Sequence, residues 1–216
     1  MKTIVGKVVI LGSVAVGKTS IVLRYVNNSF DCPSVPTIGA SFVSCTLLIE
    51  DITVKLQIWD TAGAERFKAL APMFYRNANA AIIVFDVTFK PSFESVRQWI
   101  AELKTNVKNP MKLYVVGNKV DLAERREISR HDAEQYAESI GATYHECSAK
   151  QEKGVGLVFD DIARGLIEMS GSGDGHNLKV YDTENIDNRM ANCSEETVNL
   201  SVSGRTHKKS VKRKCC

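Results

Sequence analysis

The chain predicts an α/β fold with an open, mostly parallel sheet and helices on both faces. Three observations carry this. Short β-rich runs alternate with helical stretches from residue 2 to residue 169. Two of the runs, Ala80-Ala81-Ile82-Ile83-Val84-Phe85-Asp86 and Lys112-Leu113-Tyr114-Val115-Val116-Gly117, are almost continuously apolar, as parallel strands covered on both faces must be. A glycine-bearing stretch from Gly12 to Thr19 joins the first apolar run directly to the first helical one.

Strand 3–11 opens the fold; it is apolar, but it is short, lacks a small-residue cleavage signal and runs straight into the glycine loop, so it reads as a strand and not a signal peptide. Helix 18–26 follows. Strands 41–49 and 53–59 lie close enough for a hairpin across Glu50-Asp51 and supply the antiparallel edge. Helix 66–76 leads to strand 80–87, helix 92–106 to strand 112–117, helix 130–140 to strand 142–146, and helix 155–169 closes the domain. The expectation is a six-stranded sheet. From Ser170 the composition breaks: Ser-Gly-Ser-Gly-Asp-Gly opens a polar stretch, and 170–214 reads as a flexible tether. A short helix around 185–200 is the alternative, and it would bury little.

A length of 216 residues allows one well-packed domain, 1–169, and a tail, 170–216. The net charge of +3 is too small to argue for nucleic acid as a partner, but it is unevenly placed. Arg205, Lys208, Lys209, Lys212, Arg213 and Lys214 give residues 205–216 a charge of +6 with no acid, leaving −3 for everything before. No apolar run reaches 18 residues, so no bilayer-spanning helix is expected. The six cysteines have neither zinc-site nor disulfide spacing, which points to reduced cytosol.

Gly12-x-x-x-x-Gly17-Lys18-Thr19 has the spacing of a phosphate-binding loop. Its glycines let backbone N–H groups from Ser13, Val14, Ala15, Val16 and Gly17 through Ser20 curl around phosphates. Lys18 reaches the terminal pair, and Thr19 offers a hydroxyl to Mg²⁺. The following helix adds the positive end of its dipole. Asn118-Lys119-Val120-Asp121 ends the fifth strand. The Asp121 carboxylate can accept both the ring N–H and the exocyclic amine of guanine, an arrangement adenine lacks; Asn118 can brace the loops and Lys119 can lie along the base. Ser148-Ala149-Lys150 follows the sixth strand, where a backbone N–H can meet the guanine O6. Loops at the carboxyl ends of successive strands are where this architecture holds ligands.

With these motifs the chain resembles the Ras superfamily of small GTPases, and within it the Rab branch, over residues 2–169 and again at Cys215-Cys216. The resemblance implies a G domain of the P-loop NTPase type that binds GTP or GDP with Mg²⁺, hydrolyses GTP and works as a monomer. Trp59-Asp60-Thr61-Ala62-Gly63 resembles the second switch, which implies that Asp60 holds a Mg²⁺-bound water and the Gly63 N–H senses the γ-phosphate. Pro36-Thr37-Ile38-Gly39 resembles the first switch, which implies that Thr37 joins the metal only when the γ-phosphate is present. Phe30 stands where the family stacks a ring on the base edge. Phe42, Trp59 and Phe74 match the aromatic triad that meets effectors; core packing of all three is the competing reading. Residues 41–42 and 68–76 are similar to the endosomal subgroup.

Two positions depart from the family pattern. Ala64 stands where a glutamine usually orients the attacking water. Val14 puts a β-branched side chain at a loop position usually small or polar, over the space the γ-phosphate, an incoming water or an arginine finger must share. Slow intrinsic hydrolysis and a poor response to a GTPase-activating protein are expected. Two alternatives stand beside this: an activating protein that supplies both groups in trans, and a permanently GTP-bound binding module. A Ran-like protein is disfavoured by the cysteine pair, a Rho-like one by the absence of an inserted helix after Asp121, and an ATPase by Asp121 itself.

Cys215 and Cys216 resemble the Rab double-geranylgeranylation signal. Two prenyl chains anchor stably, and the preceding +6 cluster adds attraction to an anionic leaflet. The resemblance implies effector proteins, a guanine-nucleotide exchange factor, a GDP-dissociation inhibitor, a Rab escort protein and a geranylgeranyl transferase as partners. It places the protein on the cytoplasmic face of intracellular membranes, endosomes in particular, with a carrier-bound cytosolic pool.

Overall fold

The structure is a computed structural model that describes residues 2–30, 37–63, 71–172 and 177–182. Its elements run β1 (Lys2–Leu11), α1 (Lys18–Asn27), β2 (Ala40–Ile49), β3 (Ile52–Thr61), α2 (Ala71–Tyr75), β4 (Ala80–Asp86), α3 (Lys90–Asn106), β5 (Lys112–Asn118), α4 (Arg130–Ser139), β6 (Thr143–Glu146), α5 (Val155–Ser172) and β7 (Lys179–Asp182). The sheet order is β2-β3-β1-β4-β5-β6. Strand β2 is antiparallel to β3, while β3, β1, β4, β5 and β6 are mutually parallel.

Side-chain alternation along the parallel strands divides the core between the two faces. Ile4, Val8 and Ile10 of β1 face one cluster with Ile21 of α1 and Phe159, Ile162 and Leu166 of α5. Val9 and Leu11 face the other, with Val96, Trp99 and Ile100 of α3 and Ala133 and Ala137 of α4. All seven residues of β4 are buried, which is why that segment reads as an unbroken apolar run. Burial of a large side chain such as Phe85 or Phe159 contributes about 2–3 kcal/mol each.

The hairpin turns at Glu50, whose φ of 55° is left-handed, and Trp59 pairs with Phe42 across it. Ser129 caps α4 by accepting from the Asp132 N–H at 3.0 Å. Of the expected helix 66–76, Ala71–Tyr75 is described; 64–70 lies outside the described residues. Helix α5 continues to Ser172, three residues past its expected end, with the Ser170 and Ser172 hydroxyls donating to the carbonyls of Ile167 and Met169.

Strand β7 adds a seventh member where the sequence predicts only tether, so the tether reading of 170–214 is corrected for this segment. Its physical reason is a gap in the sheet. Strand β4 pairs with β1 only over Val8–Leu11, which leaves the same edge of Lys2–Val5 without a partner. Residues 179–182 fill that edge, antiparallel, with Lys2 opposite Asp182 and Val5 opposite Lys179. Leu178 seats against the α5-side core just before the strand. The four β7 residues are themselves exposed.

Candidate nucleotide-binding site

Strands β1, β3, β4, β5 and β6 end at one edge of the sheet, in Leu11, Thr61, Asp86, Asn118 and Glu146, and the glycine loop, residues 118–121 and residues 148–150 hang from that edge. The phosphate loop is shaped by two glycines. Gly12 has φ +140° and a Cβ there would strike the Val84 carbonyl; Gly17 has φ +95° and a Cβ would strike Asn118 Nδ2. Gly17 also begins α1 with no side-chain cap, and the first N–H groups of a helix, which have no intrahelical partner, are where an anion can bind.

Lys18 is 5 % exposed. Its ammonium donates to the carbonyls of Gly12 and Ser13, both at 2.8 Å. Burial lowers its pKa to about 8, against an opposing pull from the Asp60 charge. Gly63 lies against this group, since a Cβ on it would meet Lys18 Nζ and the Ser13 carbonyl. Val16 turns inward to the core, whereas Val14 is 55 % exposed at the loop's tip.

Thr19, Thr37 and Asp60 come together. The Thr19 hydroxyl donates to Asp60 Oδ2 at 2.6 Å and lies 2.9 Å from the Thr37 hydroxyl. Asp60 is 1 % exposed. Burial raises its pKa, countered by the Thr19 hydrogen bond, the Lys18 charge and the Ser41 hydroxyl. Among the described residues its buried Oδ1 has no hydrogen-bond partner. A buried carboxylate bonded through one oxygen to Thr19, with the Thr37 hydroxyl next to Thr19, is a set of hard oxygen donors, and a single carboxylate suits Mg²⁺ shared with waters and phosphates.

The other end of the site is built by β5 and the loop after β6. Asn118, 2 % exposed, donates to the Val16 carbonyl at 2.9 Å and accepts from the Ala149 N–H at 3.3 Å, so one side chain ties three loops together. The Ser148 hydroxyl donates to Asp121 Oδ1 at 2.6 Å, fixing the orientation of the carboxylate. Lys119 donates to the Ala15 carbonyl at 2.8 Å and pairs with Asp86 at 2.7 Å. Burial works against the Asp86 charge, but Lys119 and two Thr88 hydrogen bonds hold its pKa below the usual carboxylate value.

Sequence reasoning missed Asp86, although a carboxylate ending an apolar strand at the ligand edge was a usable signal. It also missed Arg24, which donates to the Ala149 carbonyl at 2.8 Å and to the Lys150 carbonyl at 3.4 Å, holding the last loop against α1. Ser20 occupies the first turn of α1, and Phe30 is half-buried against the α5-side core. Ala64, Cys215 and Cys216 lie outside the described residues.

Phe42, Trp59 and Phe74 form a contiguous half-buried row, with ring centroids 5.3 Å apart for the first pair and 5.9 Å for the second. The Lys7 ammonium sits 5.2 Å from the Trp59 ring. Trp59 and Phe74 also pack on the α3-side core, so their inner faces are core and their outer faces are surface.

Residues 7–168 match the Ras family. The chain is 49 % identical over 164 residues to Ras-related protein Rab-21 of Mus musculus, covering 76 % of this chain and 74 % of that one. It is 48 % identical over 165 residues to Ras-related protein RABF2b of Arabidopsis thaliana, covering 76 % and 82 %. With GTP-binding protein ypt5 of Schizosaccharomyces pombe the identity is 49 % over 166 residues, covering 76 % and 79 %. The glycine loop, the Thr19–Asp60 pair and an aspartate held by Ser148 share one sheet edge, and the chain belongs to the Ras family of small GTPases, in its Rab branch.

Proposed function

We propose that this Rab-type GTPase of membrane traffic is a switch biased towards its GTP form. In this reading the loop N–H groups and Lys18 hold the phosphates, and Asp121, Asn118, Lys119 and residues 148–150 hold guanine. Thr19, Thr37 and Asp60 hold Mg²⁺, which neutralises phosphate charge when bound. Phe30 covers the base edge. Gly63 presents its N–H to the γ-phosphate without a side chain to displace Lys18.

The observation that carries the bias is Val14, more than half exposed at the tip of the phosphate loop, next to a sequence with alanine at position 64. An isopropyl group there occupies space that a water and its positioning groups need. Ala64 has neither donor nor acceptor with which to orient that water. Binding is left intact while hydrolysis slows. The limiting form of this reading is a binding module that hydrolyses nothing, favoured by the same two residues.

Single-turnover hydrolysis of preloaded GTP tests the proposal, with wild type beside Val14→Gly/Ala64→Gln. Slow wild-type turnover restored by the double change supports it, and an ordinary wild-type rate sinks it. No detectable wild-type turnover, even with added activating protein, selects the binding module.

The GTP form recruits effectors through Phe42, Trp59 and Phe74 on the cytoplasmic face of endosomal membranes. Cys215 and Cys216 carry geranylgeranyl groups, and the residues beyond Asp182 tether the G domain to the bilayer. The exchange factor, activating protein, dissociation inhibitor and escort protein of Rab traffic are its regulators. Intact mass of the protein from its native cells checks the lipids; unmodified cysteines would remove the anchor.

A further inference from the structure

We infer that Ser95 of α3 is a positioning residue for nucleotide retention, because it holds one shoulder of the phosphate loop while Lys119 holds the other. The inference rests on the guanine-nucleotide binding already assigned to this site and names a residue outside its motifs.

The Ser13 and Ser95 hydroxyl oxygens are 2.6 Å apart. Ser95 donates its single proton to the Ser92 carbonyl at 2.7 Å, so the proton between the two serines comes from Ser13. The Ser92 hydroxyl in turn accepts from the Asp86 N–H at 3.0 Å. Asp86 pairs with Lys119 at 2.7 Å, and Lys119 donates back to the Ala15 carbonyl at 2.8 Å. The polar path leaves the loop at Ser13 and returns to it at Ala15, so it brackets Val14 on both sides.

The loop needs such anchors. Ala15 has φ 63°, a left-handed conformation that a non-glycine residue does not hold unaided. Ser13 also contributes the carbonyl that accepts from Lys18, so tying its side chain to α3 fixes the ammonium's support as well. A loop already in its binding shape loses less entropy on taking up phosphates. Releasing the Ser13 side of the bracket therefore speeds nucleotide release while the chemistry of every motif residue stays unchanged.

Release of mant-GDP from the full chain, followed with excess unlabelled GDP, tests this in wild type, Ser95→Ala, Ser13→Ala, the double variant and Ser95→Thr. Ser95→Ala should release about fivefold faster, the worth of one net hydrogen bond, and Ser95→Thr should return towards wild type. The double variant should be no faster than the faster single one, because both remove the same bond. Ser95→Ala also gives up the bond to the Ser92 carbonyl, a loss partly offset because alanine is the better helix former, so nucleotide-free Ser95→Ala should melt within about 4 °C of wild type, which separates positioning from general loosening. A Ser95→Ala rate within twofold of wild type, or single effects that multiply in the double variant, would overturn the inference. A wild-type chain that retains no mant-GDP would overturn the nucleotide assignment and this inference with it, an outcome distinct from the other two.

Discussion

Thr19 and Asp60, 41 positions apart in the chain, share a 2.6 Å hydrogen bond that joins the first turn of α1 to the end of β3. The bond uses only Oδ2. Oδ1, without a partner among the described residues, remains buried beside it, and an ionised carboxylate is costly to keep in that state. A cation bound here would offset that cost.

Asp60→Asn keeps the shape of the side chain and removes its charge. With Mg²⁺ present, the variant should release mant-GDP about as fast as the wild-type protein does in excess EDTA, and EDTA should then change its rate little. A variant that still slows on adding Mg²⁺ would show that the ion is held elsewhere.

Asp121→Asn exchanges two acceptors for one acceptor and one donor. Guanine then loses one of its two matched hydrogen bonds, and affinity for GDP should fall roughly 10- to 100-fold, the range for hydrogen bonds to a charged group. Xanthine, with a carbonyl in place of the exocyclic amine, fits the new pattern. Competition binding of GDP against xanthosine diphosphate checks the reversal.

Gly63→Ala adds a methyl group against Lys18 Nζ and the Ser13 carbonyl. The lysine end can move, but the loop backbone cannot do so freely. Overpacking of this kind costs about 1–3 kcal/mol. It should weaken a GTP analogue more than GDP, since the crowding falls where the γ-phosphate is expected. Isothermal titration with both ligands gives the ratio, and equal losses would contradict the placement.

Cys45 and Cys147 should resist iodoacetamide at pH 8 in the native protein. Burial pushes the Cys45 thiol up to about 11. Burial, followed by the nearby charges of Glu146 and Asp121, pushes Cys147 up to about 12. Little thiolate exists at pH 8 in either case. Peptide mass spectrometry should find both alkylated only after unfolding, and native labelling of Cys147 would mean that the guanine end of the site opens spontaneously.

The alternation of strands and helices was legible because the parallel strands are covered on both faces, so Ala80–Asp86 and Lys112–Asn118 carry their burial in plain composition. The phosphate loop and the residues around Asn118 and Ser148 were legible because backbone geometry and base chemistry restrict residue type at fixed spacing. Strand β7 was not: four exposed residues bear no apolar pattern, and only the short reach of β4 along β1 creates a place for them. Ser95 reads as an ordinary helical serine until α3 is packed beside the loop. Asp86 reads as the end of an apolar run until β5 pairs with β4 and brings Asn118 opposite it, with Lys119 next in line.

The pairing of β7 with β1 also decides how the domain bears load. The strand runs antiparallel to β1, from opposite Val5 down to opposite Lys2, so the chain leaves it pointing away from the phosphate-binding edge. Tension applied at Asp182 along the strand axis would load the β7–β1 pairing in shear. Shear of that kind would load the paired backbone together instead of unzipping it singly, and would pass the force to β1, which lies between β3 and β4. A pull on Asp182 would therefore be borne by β1 and the strands beside it before it reached α5.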